Sequence, residues 1–377
     1  MVGIPRNNNG MARKSTTPST CTRRRSSSWS APRTAVLGLV FLGGFGTGVY
    51  YKSQLTSSSS SKKQPMIQEE VARPFVPPTE YRHASKEKCR GGGTQYAPVS
   101  SVPKVSIAQA QQLIMGGHEM IAKGSGDVEL VGLMCLFLSN VQHDHGIFGS
   151  VGELGVHHGK FTSTLFITAR STEKLVIADV FEQTEKIIDQ SGLGDKTRFM
   201  EGLQTYGLSA SDLHHIHTGS TDEIPFDWFL QQGFEQFRLI SVDAGHTAAL
   251  TFNDLELAFC NALRGAVVVL DDMLHMFWPG VSEGVFHYFA YQGIHKTIYP
   301  FLFCEGKLFM TNDLDSYMTY YNAIKLDPKV NLFVERNATR WGGSSLFTVN
   351  GYPVLICHRE SGEDVNQVWS SLLMAAK

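Results

Sequence analysis

The sequence lacks acidic residues at its N-terminal end, since none of its 35 Asp and Glu residues precedes Glu69. Ten of the 33 Lys and Arg residues lie in this same segment, so the rest of the chain has 23 basic and 35 acidic residues, a net charge of −12. Nucleic-acid binding depends on a basic face that displaces counterions from phosphates. The acidic body therefore argues against a nucleic-acid partner, and we interpret the basic segment as a targeting sequence.

The chain also lacks internal repeats, and its six cysteines form no CxxC pair or other spacing typical of a metal site. Its hydrophobic fraction of 42% is close to the average of globular proteins, which excludes collagen-like, coiled-coil and wholly disordered proteins. A length of 377 residues is enough for one large domain or two modest ones.

A run of eighteen residues without charge extends from Thr34 to Tyr51. As a helix it would be about 27 Å long, enough to cross a thin bilayer core. Arginines cluster before the run and only Lys52 follows closely, so the positive-inside rule places the N-terminus in the cytosol. The sequence thus predicts a basic cytosolic tail (1–33), a transmembrane signal anchor (34–51) and a disordered stem (52–104), whose Ser-, Lys- and Pro-rich sequence cannot bury enough apolar surface to fold.

This organisation is typical of a single-pass type II membrane protein of the Golgi or another secretory compartment. The sequon Asn337-Ala338-Thr339 is consistent with a lumenal body. An Arg- and Ser-rich segment without acids is also typical of an organellar transit peptide, which stays open as one alternative. A cleaved secretory signal is the other, although it would want a shorter apolar stretch and an Ala-x-Ala-like cleavage site, and neither is clear here.

From about residue 105 onward, short apolar runs alternate with longer amphipathic ones. This alternation implies crossover connections and a mostly parallel α/β sheet with helices on both faces. Solidly apolar runs such as AVVVL suit a sheet that is buried on both sides. We expect one α/β domain over 105–315 that ends in an antiparallel hairpin, and a C-terminal extension (316–377) to which the sequence assigns no role. The predicted strands are Phe148–Leu154, Lys174–Ala178, Leu213–His217, Arg238–Val242, Ala266–Leu270, Thr297–Phe303 and Lys307–Thr311, and the predicted helices are Ser106–Lys123, Asp127–Val141, Lys160–Arg170, Thr184–Gln190 and Ala249–Leu263.

The first predicted strand of the sheet runs into a glycine turn, Glu153-Leu154-Gly155-Val156-His157-His158-Gly159, and an amphipathic helix follows. A glycine turn at the carboxyl end of a strand lets the backbone approach a ligand, and the helix N-terminus attracts polar groups. The ExGxxxG spacing differs from the dinucleotide pattern GxGxxG. Glu153, Gly155 and Gly159 are therefore candidate cofactor-binding residues.

The next two strands add polar residues at the same edge of the sheet. The second strand ends at Asp179, about twenty residues after the glycine turn, where a carboxylate can accept the ribose hydroxyls of an adenosine cofactor. An ordinary helix N-cap is the structural alternative for this residue. The third strand leads into Gly219, Ser220 and Thr221, which are candidates for holding an adenine.

Carboxylates follow the fourth and fifth strands, at the point where each strand ends. Asp243 and His246 follow the fourth strand, and Asp271 and Asp272 follow the fifth. Converging carboxylates repel, by roughly 4 kcal/mol for each pair at about 4 Å and an effective dielectric near 20. A divalent cation removes this penalty, and oxygen ligands favour Mg²⁺, Mn²⁺ or Ca²⁺ over zinc. The three aspartates therefore predict a metal site, with His246 as a base beside it.

Four segments in this order, GSVGELGVHHGK, LVIADV, LISVDAGHTAALTFNDLELAFCNALRGAVVVLDDM and WPGV, resemble the class I S-adenosylmethionine-dependent methyltransferases. They are similar in particular to methyltransferase family 24, whose best-known relatives are metal-dependent sugar O-methyltransferases of macrolide biosynthesis. The similarity covers about Phe148 to Asn312. It implies a Rossmann-like sheet, a methyltransferase domain within 105–315 and S-adenosylmethionine as the methyl donor.

The resemblance also implies roles for individual residues. The cofactor loop is Glu153, Gly155 and Gly159, the ribose ligand is Asp179, the metal ligands are Asp243, Asp271 and Asp272, and the proposed general base is His246. The family often has Asp-Gly-Asp-His where this chain has Asp243-Ala244-Gly245-His246, which is one acid fewer. The expected reaction is metal-assisted methyl transfer to a hydroxyl of a diol-bearing acceptor, a glycan or a small molecule, with carbohydrate as the leading class.

Two other functions fit parts of the sequence. A short-stemmed type II anchor is also how Golgi glycosyltransferases are built, but those usually carry an Asp-x-Asp triad, whereas Asp271 and Asp272 are adjacent and the ExGxxxG turn has no place there. A methyltransferase fold retained as a non-catalytic binding module is the second alternative. The intact acids and His246 argue against it.

Overall fold

The computed structural model describes residues 102–110, 128–189, 191–205, 208, 210–234, 236–292, 298–334, 347–358 and 365–375. The predicted tail and anchor lie outside these residues, as does most of the stem, so the anchor stays a prediction. Among the described residues, no helix has both the length and the hydropathy needed to cross a membrane.

One eight-stranded sheet organises the described part of the chain. The described residues form ten strands, of which eight belong to this sheet and two form a separate pair. They are β1 (Ser150–Leu154), β2 (Leu175–Asp179), β3 (His215–Thr218), β4 (Phe237–Val242), β5 (Ala262–Leu270), β6 (Tyr299–Cys304), β7 (Lys307–Thr311), β8 (Thr348–Val349), β9 (Tyr352–Pro353) and β10 (Leu355–Cys357). The spatial order of the large sheet is β10-β6-β7-β5-β4-β1-β2-β3, and β8 pairs separately with β9. Every neighbouring pair of the large sheet is parallel except the two that involve β7. This confirms the expected mostly parallel sheet with an antiparallel hairpin.

Helices cover both faces of the sheet, as predicted. They are α1 (Val128–Asp144), α2 (Lys160–Thr168), α3 (Lys196–Thr205), α4 (Trp228–Gln231), α5 (Ala248–Cys260), α6 (Pro279–Gln292), α7 (Leu314–Leu326) and α8 (Val365–Ala375). Successive residues of β5 alternate between two buried clusters, because side chains along a strand point to opposite faces. Val267 and Val269 pack with residues of α1, α2, α7 and α8. Val268 and Leu270 pack with residues of α5 and α6.

The C-terminal segment, which the sequence left without a role, adds to this sheet and its cover. Strand β10 pairs in parallel with β6, with Leu355 opposite Leu302. On α8, the indole nitrogen of Trp369 donates a hydrogen bond to the carbonyl of Glu129 on α1 at 3.1 Å. Strand β10 therefore closes one edge of the sheet, and α8 adds to the helices that cover one of its faces.

The predicted helix Thr184–Gln190 is wrong over most of its length. Only a 3₁₀ turn forms, at Thr184–Lys186, and Gln190 lies outside the described residues. Two observations explain the absence of a longer helix. Ile188 is 65% exposed, so a helix here would not bury its apolar side chain. Asp189 accepts a hydrogen bond from the backbone amide of His246, which favours a non-helical conformation.

The predicted helix Ala249–Leu263 ends earlier, because Asn261 stops it. Helix α5 ends at Cys260, and the amide of Asn261 donates to the carbonyls of Leu257 and Phe226. Strand β5 then begins at Ala262, before its predicted start. The predicted helix Ser106–Lys123 lies largely outside the described residues.

Candidate active site

The carboxyl ends of β1, β2, β4 and β5 open into a pocket of about 450 Å³. It lies where the strand order reverses, since β1 and β4 are neighbours although their crossovers run in opposite directions. Crevices at such points are the usual ligand sites of open α/β sheets. The pocket is lined by ten of the predicted site residues: Glu153, Gly155, Asp179, Gly219, Ser220, Thr221, Asp243, His246, Asp271 and Asp272.

The glycine turn after β1 depends on two glycines with positive φ. Gly155 has φ +85°, and a Cβ there would lie 1.9 Å from the carbonyl oxygen of Asp243. Gly159 has φ +82°, and a Cβ there would lie 2.2 Å from the ring of Phe199. Gly155 thus brings the β1 turn against the end of β4, whereas Gly159 starts α2 and does not line the pocket.

Glu153 is buried, with an exposed fraction of 2%. The hydroxyl of Thr162 donates a hydrogen bond to its carboxyl group. Burial raises the pKa of Glu153 to about 8, so this side chain is protonated near neutral pH.

Asp179, the predicted ribose ligand, is already bound to backbone amides. Its Oδ2 accepts from the amides of Val156 and His157, and its Oδ1 accepts from the amide of Phe181. A carboxylate offers about four acceptor positions, so one position is left for a ribose hydroxyl where the sequence predicted two hydroxyls bound. The same bonds fix the β1 turn to the end of β2.

The third predicted loop lies beside Asp179. The amide of Gly219 donates to the Asp179 carbonyl at 3.0 Å, and Ser220 precedes a 3₁₀ turn that begins at Thr221. The structure therefore brings the predicted adenine and ribose residues together at one side of the pocket.

The acids at the ends of β4 and β5 meet, but a lysine lies between two of them. The ammonium of Lys307 contacts the carboxylate of Asp271 and lies 3.5 Å from Oδ2 of Asp243. Burial and the neighbouring Asp271 raise the pKa of Asp243 well above its usual range. Burial alone would also raise the pKa of Asp271, but the Lys307 ammonium holds it below its usual range. Asp271 is therefore the charged partner of Lys307.

Asp272 faces the same pocket as Asp271 because its backbone is left-handed. Side chains of successive residues in a strand point to opposite faces, but Asp272 has φ +57°. Aspartate tolerates this conformation better than most residues. Oδ1 of Asp271 accepts a hydrogen bond from the Asp272 amide at 2.8 Å, which holds the turn.

His246 lies between two carboxylates. Its Nδ1 is 2.9 Å from Oδ2 of Asp189, and its Nε2 is 3.3 Å from Oδ2 of Asp272. Its ring stacks on Trp278, with 4.5 Å between centroids. Burial would lower the pKa of this imidazole, but hydrogen bonds with Asp189 and Asp272 raise it to about 10. The ring is protonated in this arrangement, whereas a general base has to be neutral.

The residues fit a hard divalent cation with a changed ligand set. Asp243, His246 and Asp272 offer one ligand atom each within 4.8 Å of one another. The two carboxylate oxygens suit Mg²⁺ or Mn²⁺, and the imidazole of His246 lies beside them. Asp271, which the sequence predicted as a third ligand, is not in this group, and its carboxylate contacts Lys307.

Sequence reasoning missed Asp189 and Lys307, both of which line the pocket. Asp189 lies in an irregular segment that was predicted to be helical, so no sequence signal marked it. Lys307 had a signal: it begins the predicted hairpin strand that returns beside β5. In the structure Leu308 is opposite Leu270, which places Lys307 across from Asp271.

Comparison with known proteins finds similar methyltransferases. Residues 153–273 match a family model described as a methyltransferase domain, methyltransferase family 24. No curated protein matches the chain in sequence. Among solved structures, the O-methyltransferase NovP is 13% identical with a TM-score of 0.39, over 49% of this chain and 79% of NovP. CalS11, a TDP-rhamnose 3'-O-methyltransferase of calicheamicin biosynthesis, is 15% identical with a TM-score of 0.38, over 54% and 86%. An O-methyltransferase from Bacillus cereus in complex with SAH is 12% identical with a TM-score of 0.39, over 55% and 90%.

The matched segment runs from the end of β1 to just past β5, and it contains the glycine turn and both acidic strand ends. The resemblance seen in the sequence is confirmed by this match. Residues 153–273 are therefore similar to the methyltransferase domain of family 24, which supports a class I, S-adenosylmethionine-dependent methyltransferase domain in this part of the chain.

Proposed function

We propose that this enzyme transfers the methyl group of S-adenosylmethionine to a hydroxyl oxygen of a diol-bearing acceptor, with carbohydrate as the favoured class and with the help of a divalent cation, Mg²⁺ as first choice. One observation carries the proposal: Asp243, His246 and Asp272 converge in the same pocket as the glycine turn. A cation held there would lower the pKa of an acceptor hydroxyl beside the proposed donor site, which supports O-methylation.

The donor side of the pocket is formed by the first three strands. Asp179 would accept a hydrogen bond from a ribose hydroxyl, and the segment 219–221 would lie along the adenine. The turn at Gly155 lets the backbone come close to the methionine part of the donor. These residues would bind and orient the donor in the pocket that the end of β4 also lines.

The acceptor side contains the carboxylates and the imidazole. Asp243 and Asp272 would hold a hard divalent cation, whose positive charge would lower the pKa of His246 and of an acceptor hydroxyl. Two nearby acceptor oxygens suit such a cation better than one, which favours a diol. Carbohydrates are the commonest class of molecule with adjacent hydroxyls.

His246 is the proposed proton acceptor. Asp189 binds Nδ1 and thereby orients the ring, so that Nε2 is the nitrogen that faces the pocket. During transfer, the acceptor O–H bond breaks and its proton moves to Nε2 of the neutral imidazole. The oxygen forms a bond to the methyl carbon while the carbon–sulfur bond of the donor breaks, which leaves S-adenosylhomocysteine. Alignment of oxygen, carbon and sulfur at about 3 Å supplies much of the rate.

A labelled-methyl assay tests the reaction. The body without its first hundred residues is incubated with tritiated S-adenosylmethionine and a panel of glycans and small polyols, with and without excess chelator. We expect transfer to a vicinal diol that stops with chelator and returns with Mg²⁺. Full transfer in chelator would contradict the metal, and label on nitrogen would contradict O-methylation.

A binding assay separates this proposal from the two alternatives. S-adenosylhomocysteine is expected to raise the melting temperature, and UDP or GDP is expected not to, whereas a glycosyltransferase would show the reverse. Binding of S-adenosylhomocysteine without transfer to any acceptor would favour a non-catalytic module. As a variant, Asp272→Asn should abolish transfer and keep S-adenosylhomocysteine binding, because Asp272 serves the acceptor side.

We also propose that segment 34–51 anchors the enzyme in a secretory membrane. Its uncharged length and the arginines before it support this assignment. Carbonate extraction of a tagged full-length chain is expected to leave it in the membrane fraction, and its release as a shortened organellar protein would favour the transit peptide.

A further inference from the structure

Lys307 is a buried lysine beside the acidic ends of β4 and β5, with an exposed fraction of 4%. Its ammonium contacts Asp271, lies 3.5 Å from Asp243 and lies 4.7 Å from the ring centre of Phe161. A buried ammonium needs such partners, because an unpaired buried charge is costly. Lys307 is thus a cation that the chain itself supplies at the site.

We propose that Lys307 withdraws Asp271 from the divalent-cation site, so that the cation is held through Asp243 and Asp272, with His246 next to them. Lys307 is then a positioning residue, which sets the ligands and the affinity of the cation site without contacting the cation. This inference rests on the proposed function, since it concerns the cation named there.

The contacts of Asp271 support the proposal directly. Its Oδ1 accepts a hydrogen bond from the Asp272 amide, and its Oδ2 is bound by Lys307. Each oxygen of Asp271 thus already has one partner, and one of the two partners is a charged ammonium. Asp243, His246 and Asp272, by contrast, present ligand atoms within 4.8 Å of one another.

The fold also fixes the position of Lys307. Strands β5 and β7 are antiparallel, and Leu270 is opposite Leu308. The residue after Leu270 therefore lies across from the residue before Leu308, as expected for an antiparallel register. The Asp271–Lys307 pair is a cross-strand pair of opposite charge, which is favourable in such positions.

The proposal has two consequences for cation binding. Removing the Lys307 charge should tighten the cation by about tenfold or more, because a positive charge a few ångströms away repels it. Removing Asp271 and Lys307 together should change the affinity little, because the pair is neutral as a whole and neither member is a ligand.

The test measures Mn²⁺ binding to the full-length chain by electron paramagnetic resonance of free Mn²⁺, with S-adenosylhomocysteine present. The variants are Lys307→Met, the double variant Asp271→Asn with Lys307→Met, and Asp272→Asn. We expect Lys307→Met to bind at least about tenfold tighter than wild type, the double variant to stay within about threefold, and Asp272→Asn to bind at least about tenfold weaker. Lys325→Met serves as the control, since Lys325 lies on α7 over the ring of Tyr321, and it should match wild type.

Each other outcome contradicts a defined statement. A loss of more than about tenfold in the double variant would make Asp271 a ligand and overturn the inference, while the metal of the proposed function would stand. No Mn²⁺ binding by wild type or by Lys307→Met would contradict both. If Lys307→Met does not fold, the double variant still decides, because replacing a buried ion pair by neutral side chains of similar size is often tolerated.

Discussion

Strand β4 has a charged cluster at each of its ends, and the two clusters are built differently. At its amino end, Arg238 is completely buried and pairs with the buried carboxylate of Glu173. All five N–H donors of this arginine are used: two bind Glu173, and the others bind Ser139, Gln142 and the carbonyl of Thr168. At the carboxyl end, carboxylates outnumber the cations that contact them, and the cluster opens into the pocket.

The difference separates stability from function. The buried pair of Arg238 and Glu173 needs no ligand, because all five donors of the arginine already have partners in the protein. Its hydrogen bonds hold α1 and α2 against the sheet. A cluster with surplus carboxylates facing a pocket is costly until a cation or a proton arrives. We therefore assign a structural role to the charged cluster at the amino end of β4. We assign a functional role to the cluster at its carboxyl end.

The largest expected effect is on catalysis at the carboxyl end. His246→Gln should lower kcat by about 10²- to 10⁴-fold, the usual contribution of general acid–base catalysis, and should leave S-adenosylhomocysteine binding unchanged. Steady-state rates of methyl transfer check this. The matched control is His275→Gln in the same pocket, and an equal loss in both variants would contradict the assignment of His246 as the base.

The next effect is on stability at the amino end. Arg238→Met should lower the free energy of unfolding by about 3–5 kcal/mol, because it leaves Glu173 buried without its partner. Lys307→Met should lower it less, since the side chains of Asp243 and Asp271 keep exposed fractions of 28% and 21% at the pocket. Urea unfolding of both variants measures these two losses in the free energy of unfolding. Equal losses would contradict the difference between the two ends of β4.

The amino-end cluster also predicts a pH dependence. Burial lowers the pKa of His143 from 6.5 to about 4. The unfolded chain therefore takes up a proton between pH 6.5 and pH 4 that the folded chain does not, so stability is complete above pH 6.5 and declines by about 3 kcal/mol as the pH falls to 4. Unfolding free energies of wild type and His143→Asn should converge toward low pH, and parallel curves would contradict the shift.

The smallest effect compares a glycine in the turn between α1 and β1 with the glycine directly after β1. Gly146 and Gly155 both have positive φ, but a Cβ at Gly146 meets no atom within 4 Å, whereas one at Gly155 overlaps the Asp243 carbonyl. Both alanine variants should carry the strain of a left-handed residue, and Gly155→Ala should cost about 2 kcal/mol more because of that overlap. Thermal unfolding of the two variants measures this difference in stability. Equal losses in both variants would mean that the backbone after β1 can shift to accommodate the added Cβ at little cost.

Local sequence was sufficient for the sheet and for the positions of the acids. Strands such as β4 and β5 are unbroken apolar runs, so their ends, and with them Asp243 and Asp271, follow from the sequence. Parallel strands share a carboxyl edge, which correctly predicted that these residues meet in one pocket.

Contacts between residues far apart in the chain could not be predicted from the sequence. Asp189 reaches His246 across 57 residues from an irregular segment, and a local helical pattern hid it. Lys307 meets Asp271 through the register of an antiparallel pair, which a single sequence specifies only weakly. Both missed residues contact charged groups that local patterns had identified, so the acids were predictable from the sequence and their partners only from the fold.

Calorimetric titration with S-adenosylhomocysteine tests the central claim most directly, namely that the pocket at the carboxyl ends of β1, β2 and β4 is a methyl-donor site beside a separate acceptor site. We predict one bound S-adenosylhomocysteine per chain for wild type and for Asp272→Asn alike, with no heat from UDP. Binding of UDP without binding of S-adenosylhomocysteine would contradict the account.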